Sequence, residues 1–190
     1  AFRDVSEALA RHEGLLAGPI ADEDRKRVLD DLGRAGSAYR QRVYAGLSGE
    51  RQSLSGAELA SFCVRTLRHL DHSIRANRRP DGLFHSYNLM KVEGGDKVVV
   101  RRLYEMLEGQ VAVLASGALT PEEGATLLDR LAKSPLYRAD QKSYVLYPDR
   151  RLPRFLEKNN IPAAAIAASR LLSRMLEDGD QRIVARDVSG

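Results

Sequence analysis

The chain has 190 residues, of which 43% are hydrophobic and 29% are charged, and its formal net charge is +4 at pH 7. These values are ordinary for a globular protein and exclude wholesale disorder. No run of residues approaches the roughly 20 consecutive apolar positions that span a bilayer, so we expect no membrane partner. A lone cysteine, Cys63, and the lack of an export signal predict a cytoplasmic protein.

Helical spacing dominates the first 76 residues. Apolar positions predict one helix over 2–16 and a long amphipathic helix over 22–43. Ser55-Gly-Ala-Glu58 matches a capping box, in which the two side chains satisfy free backbone N–H groups, so a third helix begins there. We expect its apolar stripe to face the core, with Cys63 buried; the stripe comprises Leu59, Phe62, Cys63, Thr66, Leu67, Leu70 and Ile74.

The helical period is lost after Pro80 for about twenty residues. Gly94-Gly95-Asp96 predicts a turn, and Val98-Val-Val100 is compatible with a returning strand or with the first turn of a helix. The spacing of Val99, Leu103 and Leu107 favours the helix, which we predict from about 98 to 116.

The C-terminal half contains four further predicted segments. Thr120-Pro-Glu-Glu123 combines an N-cap threonine, a first-turn proline and a capping glutamate, and predicts a helix to about 132. Shorter helices are predicted over 153–158 and 162–176, and an extended segment over 182–188. The fold class is therefore mainly α: a single domain over 1–190 with six or seven helices, two irregular inserts and little strand.

The two irregular inserts, 77–88 and 137–151, concentrate polar and aromatic side chains. Carboxylates accept hydrogen bonds from sugar hydroxyls, amides and guanidinium groups donate, and tyrosine rings stack on sugar rings. We predict that the inserts meet in one polar cleft. The ligand-binding candidates are Asp81, His85, Tyr87, Asn88, Arg138, Asp140, Gln141 and Tyr144. A structural role remains open for each, because Asp81 precedes a glycine as turn residues do and Arg138 is close enough to Asp140 for a surface ion pair.

Metal and cofactor sites are not predicted. His69 and His72 are three residues apart on a helix, but two histidines without a third ligand make a weak metal signature. The sequence contains none of the glycine-rich phosphate loops or catalytic motifs that identify common enzyme classes. Whether the chain is catalytic stays open.

The basic excess of the chain is concentrated in residues 65–102. An alternative function is therefore an arginine-rich module that binds nucleic acid or another anionic partner, using Arg65, Arg68, Arg75, Arg78, Arg79, Arg101 and Arg102. Acidic residues interrupt this stretch and no nucleic-acid fold signature is present, so nucleic acid is the less favoured partner. A structural protein-interaction domain is the third possibility.

Two segments carry a resemblance to known proteins. Pro80-Asp-Gly-Leu-Phe-His85, which follows a helix, resembles the inter-helix loops of α/α-toroid carbohydrate-processing enzymes, and residues 136–162 resemble segments of large uncharacterised bacterial proteins. The resemblance implies a helical module, a fragment of a longer intracellular bacterial protein, that binds a carbohydrate-like, hydroxyl-rich ligand. Its partner would be the remainder of the full-length chain. No pair of catalytic carboxylates is carried over.

Overall fold

A computed structural model describes residues 1–46 and 48–186. The chain divides into two compact units, Ala1–Asp149 and Arg150–Gly190, and each is described by itself. Helix accounts for 52% of the residues, which confirms the mainly α class. In the described part of the chain, no helix combines the length and the apolar character needed to cross a membrane. The single domain over 1–190 stays a prediction.

The first unit begins with a layer of helices. Helix α1 spans Phe2–Arg11, a short 3-10 helix spans Glu13–Ala17, α2 spans Asp22–Tyr44 and α3 spans Gly56–Ala76. Helix α1 contacts both α2 and α3. The rings of Phe2 and Phe62 lie 4.8 Å apart and join α1 to α3, and His12 Nε2 lies 2.8 Å from an Asp31 carboxylate oxygen on α2. Both predicted N-terminal helices are confirmed, although the first is divided near His12.

Helix α3 begins as predicted but buries a different face. Both hydrogen bonds of the capping box between Ser55 and Glu58 are present. The prediction that its whole apolar stripe faces the core is wrong: Leu67 is 58% exposed, Leu70 is 52% exposed and Cys63 is exposed. Because α1 and the 3-10 helix cover one side of α3 only, a stripe this wide cannot be buried on both flanks.

A β-hairpin replaces the predicted start of the fourth helix. Strand β1 (Asn88–Glu93) pairs antiparallel with β2 (Lys97–Arg102). The turn needs two residues with positive φ, and Gly94 (+61°) and Gly95 (+86°) adopt this conformation without the steric cost of a side chain. The helical interpretation of Val98 is therefore wrong: it is a fully buried strand residue whose carbonyl accepts a 2.7 Å hydrogen bond from Arg25 on α2.

The two strands of the hairpin differ in their surroundings. Strand β2 packs against α2, whereas every residue of β1 is exposed, including the apolar Leu89, Met90 and Val92. In the described residues, β1 pairs with β2 only, so its outer edge carries no partner strand.

The remainder of the first unit surrounds its largest apolar core. Helix α4 spans Leu107–Ala115 and α5 spans Pro121–Leu131, and α5 carries the predicted capping box from Thr120. Two short antiparallel strands follow, β3 (Tyr137–Arg138) and β4 (Ser143–Tyr144). The two hairpins together hold more strand than the sequence predicted. The core residues are Leu83, Phe84, Leu127, Leu131 and Leu136.

Within residues 150–186, the second unit has three short helices: α6 (Phe155–Lys158), α7 (Ala163–Ala168) and α8 (Arg170–Glu177). The single helix predicted over 162–176 is divided at Ser169, whose backbone is extended and whose hydroxyl accepts a hydrogen bond from the Leu172 N–H as the cap of α8. Residues 181–183 form a turn rather than extended chain, and 187–188 lie outside the described residues.

Candidate functional site

The first irregular insert is fixed to α4 by one buried side chain. Gln110 is fully buried and accepts a 2.9 Å hydrogen bond from the Phe84 N–H through Oε1. Its Nε2 donates to the Phe84 carbonyl at 2.8 Å and to the Met106 carbonyl at 3.0 Å. Each of these polar groups would otherwise be buried without a partner, so Gln110 holds the insert in register with the helix.

Asp81 serves the turn that begins the insert. Its Oδ1 accepts a hydrogen bond from the Leu83 N–H, and its carboxylate pairs with Arg79 at 2.7 Å. The hydrogen bond from Arg79 lowers the pKa of the Asp81 carboxyl group, which stays ionised. Gly82 has a φ of +88°, as the tight turn requires. The carboxylate of Asp81 is thus used within the insert.

His85 and Asn88 are also held by protein groups. Because a carbonyl only accepts hydrogen bonds, His85 Nδ1 must donate to the Leu103 oxygen, 2.6 Å away. The Asn88 side-chain amide donates to Asn77 Oδ1 at 2.8 Å. These bonds tie the insert to the end of α3 and to the segment after β2.

The second insert forms the β3–β4 hairpin. The rings of Tyr137 and Tyr144 lie 5.2 Å apart across the strands, inclined at 55°. Near the tip, Arg138 donates two hydrogen bonds to the Asp140 carboxylate, at 3.0 and 2.9 Å. The bond from Arg138 lowers the pKa of the Asp140 carboxyl group. Gln141 Oε1 accepts a long 3.5 Å bond from the Ser143 hydroxyl group.

Both inserts are joined to residues at the beginning of α4. The Leu107 N–H donates a 3.0 Å hydrogen bond to the carbonyl of Leu146, which fixes the second insert to the helix. The interaction of the Tyr87 hydroxyl group, from the first insert, with the Glu108 carboxylate raises the pKa of Tyr87, and a weaker electrostatic interaction with Tyr147, from the second insert, adds to this shift. Two exposed tyrosines and an exposed carboxylate therefore form one cluster.

This cluster differs from the predicted set. Of the eight candidates, the structure brings Tyr87 into the cluster. It places Tyr144 against the Tyr137 ring and the other six in separate local hydrogen-bond groups. Sequence reasoning missed Glu108 because it lies on a predicted helix and has no motif around it. It placed Tyr147 in the second insert without singling it out. One cleft lined by all eight residues stays a prediction.

The paired histidines of α3 have separate backbone partners. His69 Nε2 lies 3.0 Å from the Leu9 carbonyl, and His72 Nε2 lies 2.8 Å from the Gly18 carbonyl. Within residues 1–46 and 48–186, no group of three or more histidine, cysteine, aspartate or glutamate side chains has a geometry that could hold a metal ion.

The arginines of the basic stretch contact protein groups in most cases. Arg79 pairs with Glu105 at 2.9 Å in addition to Asp81, and Arg102 donates to the Ala76 carbonyl at 2.8 Å. Arg79 therefore joins the first insert to the segment after β2, and Arg102 joins β2 to the end of α3. The remaining ion pairs join Arg65 and Arg68 to Glu13, and Arg75 and Arg78 to Glu123.

Comparison with known proteins adds one similarity. Residues 152–190 match the family model of GH149 phosphorylase insertion domain 2. The match falls within the second unit, which begins at Arg150, and excludes the six residues that resemble toroid loops. No curated protein matches the chain.

Proposed function

We propose that the chain is a helical module of a carbohydrate-processing protein and that it binds a hydroxyl-rich ligand. The observation that carries this proposal is the similarity of residues 152–190 to an insertion domain of GH149 phosphorylases. An insertion domain is, by its name, part of a larger protein. The rest of such a protein would be the partner of this module and would supply any chemistry that the module lacks.

The ligand site that we propose is the cluster of Tyr87, Glu108 and Tyr147. An aromatic ring offers a flat apolar face on which the C–H groups of a sugar stack, and a carboxylate accepts hydrogen bonds from hydroxyl groups. The hydrogen bond from Tyr87 orients the Glu108 carboxylate while leaving acceptor positions on it. Because the tyrosines come from two different inserts, the ligand would bridge them.

A titration of the intact chain with short neutral oligosaccharides tests this proposal. The chain has 7 tyrosines and no tryptophan, so its intrinsic fluorescence reports on tyrosine alone. We expect saturable binding that Tyr87→Ala, Glu108→Gln and Tyr147→Ala each weaken by about tenfold, the effect of losing roughly 1.4 kcal/mol. Tyr39→Ala is the matched control, because Tyr39 on α2 is 54% exposed and Tyr87 is 53% exposed. Equal binding by all four variants would contradict the site.

The exposed apolar face of α3 favours a second candidate function, a structural protein–protein contact between copies of this chain. Leu59, Val64, Leu67 and Leu70 are each at least half exposed, and monomeric proteins rarely leave a long apolar patch uncovered. Leu67→Lys with Leu70→Lys would leave oligosaccharide binding unchanged while reducing self-association in sedimentation experiments. Loss of sugar binding in this double variant would contradict the separation of the two surfaces.

A further inference from the structure

A cleft between α3 and the 3-10 helix shares no residue with the aromatic cluster. It is a shallow cleft, open to solvent, with a volume of about 450 Å³, and it is lined by Glu13, Leu16, Arg68, Asp71, His72 and Arg75. This volume falls within the range of small-molecule sites. Arg68, Asp71, His72 and Arg75 follow the spacing i, i+3, i+4, i+7, so their side chains project from one face of α3.

The charges around the cleft leave an excess of guanidinium groups. Glu13 accepts hydrogen bonds from Arg68 at 2.5 Å and from Arg65 at 3.4 Å, and the bond from Arg68 lowers the pKa of the Glu13 carboxyl group. Arg75 and Arg78 likewise share the Glu123 carboxylate, at 3.3 and 3.6 Å. One carboxylate cannot use all the N–H donors of two arginines, since each guanidinium has five.

Two further side chains of the cleft, His72 and Asp71, have polar atoms that could bind a ligand. His72 donates its Nε2–H to the Gly18 carbonyl, which fixes the ring and leaves Nδ1 without a partner among the described residues. The carboxylate of Asp71, unlike that of Glu13 or Glu123, has no hydrogen-bond or ion-pair partner among residues 1–46 and 48–186. Because Arg68 pairs with Glu13 and Arg75 pairs with Glu123, the Asp71 carboxylate remains available to accept hydrogen bonds from a ligand.

We propose that this cleft binds a small phosphate monoester that carries hydroxyl groups. Arg68 and Arg75 donate to the phosphate oxygens, because the planar guanidinium fork matches two oxygens of one phosphate. Asp71 accepts hydrogen bonds from the hydroxyl groups, and the apolar side chain of Leu16 contacts the carbon skeleton. Phosphorylated sugars and nucleoside monophosphates share this chemistry.

Calorimetric titration of the intact chain with three probes tests the proposal: a sugar monophosphate, a nucleoside monophosphate and inorganic phosphate. We expect at least one monoester to bind more tightly than inorganic phosphate, and the tighter monoester identifies the source. Arg68→Gln and Arg75→Gln should each weaken monoester binding about tenfold, as expected for loss of a charge-assisted hydrogen bond. Arg174→Gln is the matched control, since Arg174 is an exposed helical arginine paired with Asp178 at 2.9 Å.

Two acidic variants separate the proposed roles. Glu13→Gln removes a carboxylate that competes for Arg68, so it should tighten the binding of all phosphates. Asp71→Asn should tighten inorganic phosphate binding and weaken monoester binding. The proposal is overturned if no monoester binds at about 10 mM, far weaker than a specific site, if Arg174→Gln is as harmful as Arg68→Gln, or if an oligonucleotide binds and the monoesters do not.

Discussion

Gln110 and Phe84 are joined by two hydrogen bonds, of 2.9 and 2.8 Å, between one side-chain amide and the backbone N–H and C=O of a single residue. The geometry imitates one step of a β-ladder, with the glutamine amide in place of a neighbouring strand. The Gln110 amide thus satisfies the Phe84 backbone N–H and C=O groups in place of a neighbouring strand. Gln110, in the middle of α4, therefore positions the insert that carries Tyr87.

The first prediction concerns this clamp. Gln110→Ala should destabilise the fold by about 2–4 kcal/mol, because two buried backbone groups lose their partners. Chemical denaturation measures this change. Gln141→Ala is the control, since Gln141 is exposed and accepts one long bond; it should change stability by less than about 0.5 kcal/mol. Similar effects at both positions would show that the clamp contributes little.

The second prediction concerns the close approach of Gly109 to Ser86. A Cβ at position 109 would lie 1.9 Å from Ser86 Oγ, so Gly109→Ala should be destabilising. Adding Ser86→Gly, which removes the clashing atoms, should restore part of the loss. Gly33→Ala on α2 is the control: nothing lies within 4 Å of its added Cβ, and alanine should stabilise the helix by about 0.5–1 kcal/mol. A stabilising Gly109→Ala would contradict this packing.

The third prediction compares a buried leucine with two exposed ones. Leu127 on α5 is almost fully buried in the main core, so Leu127→Ala should cost about 2–5 kcal/mol. Leu67→Ala and Leu70→Ala, on the exposed face of α3, should each cost less than about 0.5 kcal/mol. Thermal and denaturant unfolding of the three variants tests this order. A large loss at Leu67 would mean that this face is covered in solution.

The fourth prediction concerns pH. Hydrogen bonds from His12, and then from Arg11 and Arg34, lower the pKa of Asp31 from 3.8 to about 2. A carboxyl group with a depressed pKa stabilises the fold at pH values above its unfolded pKa, and this stabilisation is lost as the pH falls through the folded value. Asp31→Asn should therefore lower Tm near neutral pH, and its difference from the unchanged protein should shrink between pH values of about 4 and 2. A difference that stays constant over this range would contradict the assignment.

Local chemistry made part of the fold predictable from sequence. The capping boxes at Ser55 and Thr120 specify hydrogen bonds over three residues, and both are present. The β-hairpin was not predicted, because the spacing of Val99, Leu103 and Leu107 satisfies a helix as well as the observed strand and helix. Two features favour the strand over a continuous helix: the positive φ angles at Gly94 and Gly95, and the packing of β2 on α2. The spacing of apolar residues reports neither a dihedral angle nor a tertiary contact.

The candidate site was less predictable than the fold. Tyr87 was identified because it lies in an irregular insert, but its hydrogen bond to Glu108 depends on how α4 docks. Gln110 lies at helical spacing from Leu103 and Leu107, and a glutamine in that position gives no indication that its amide will bind a backbone 26 residues away. Polar residues that act through tertiary contacts carry no local signature.

The outer edge of β1 has a consequence for handling the protein at high concentration. An exposed strand with unpaired backbone groups and apolar side chains is a template onto which another strand can add. Lys91 and Glu93, which form a 2.9 Å ion pair on this strand, are the charged side chains that oppose such growth. Replacing both with valine would convert a protected edge into a nucleus for cross-β assembly, detectable by thioflavin fluorescence.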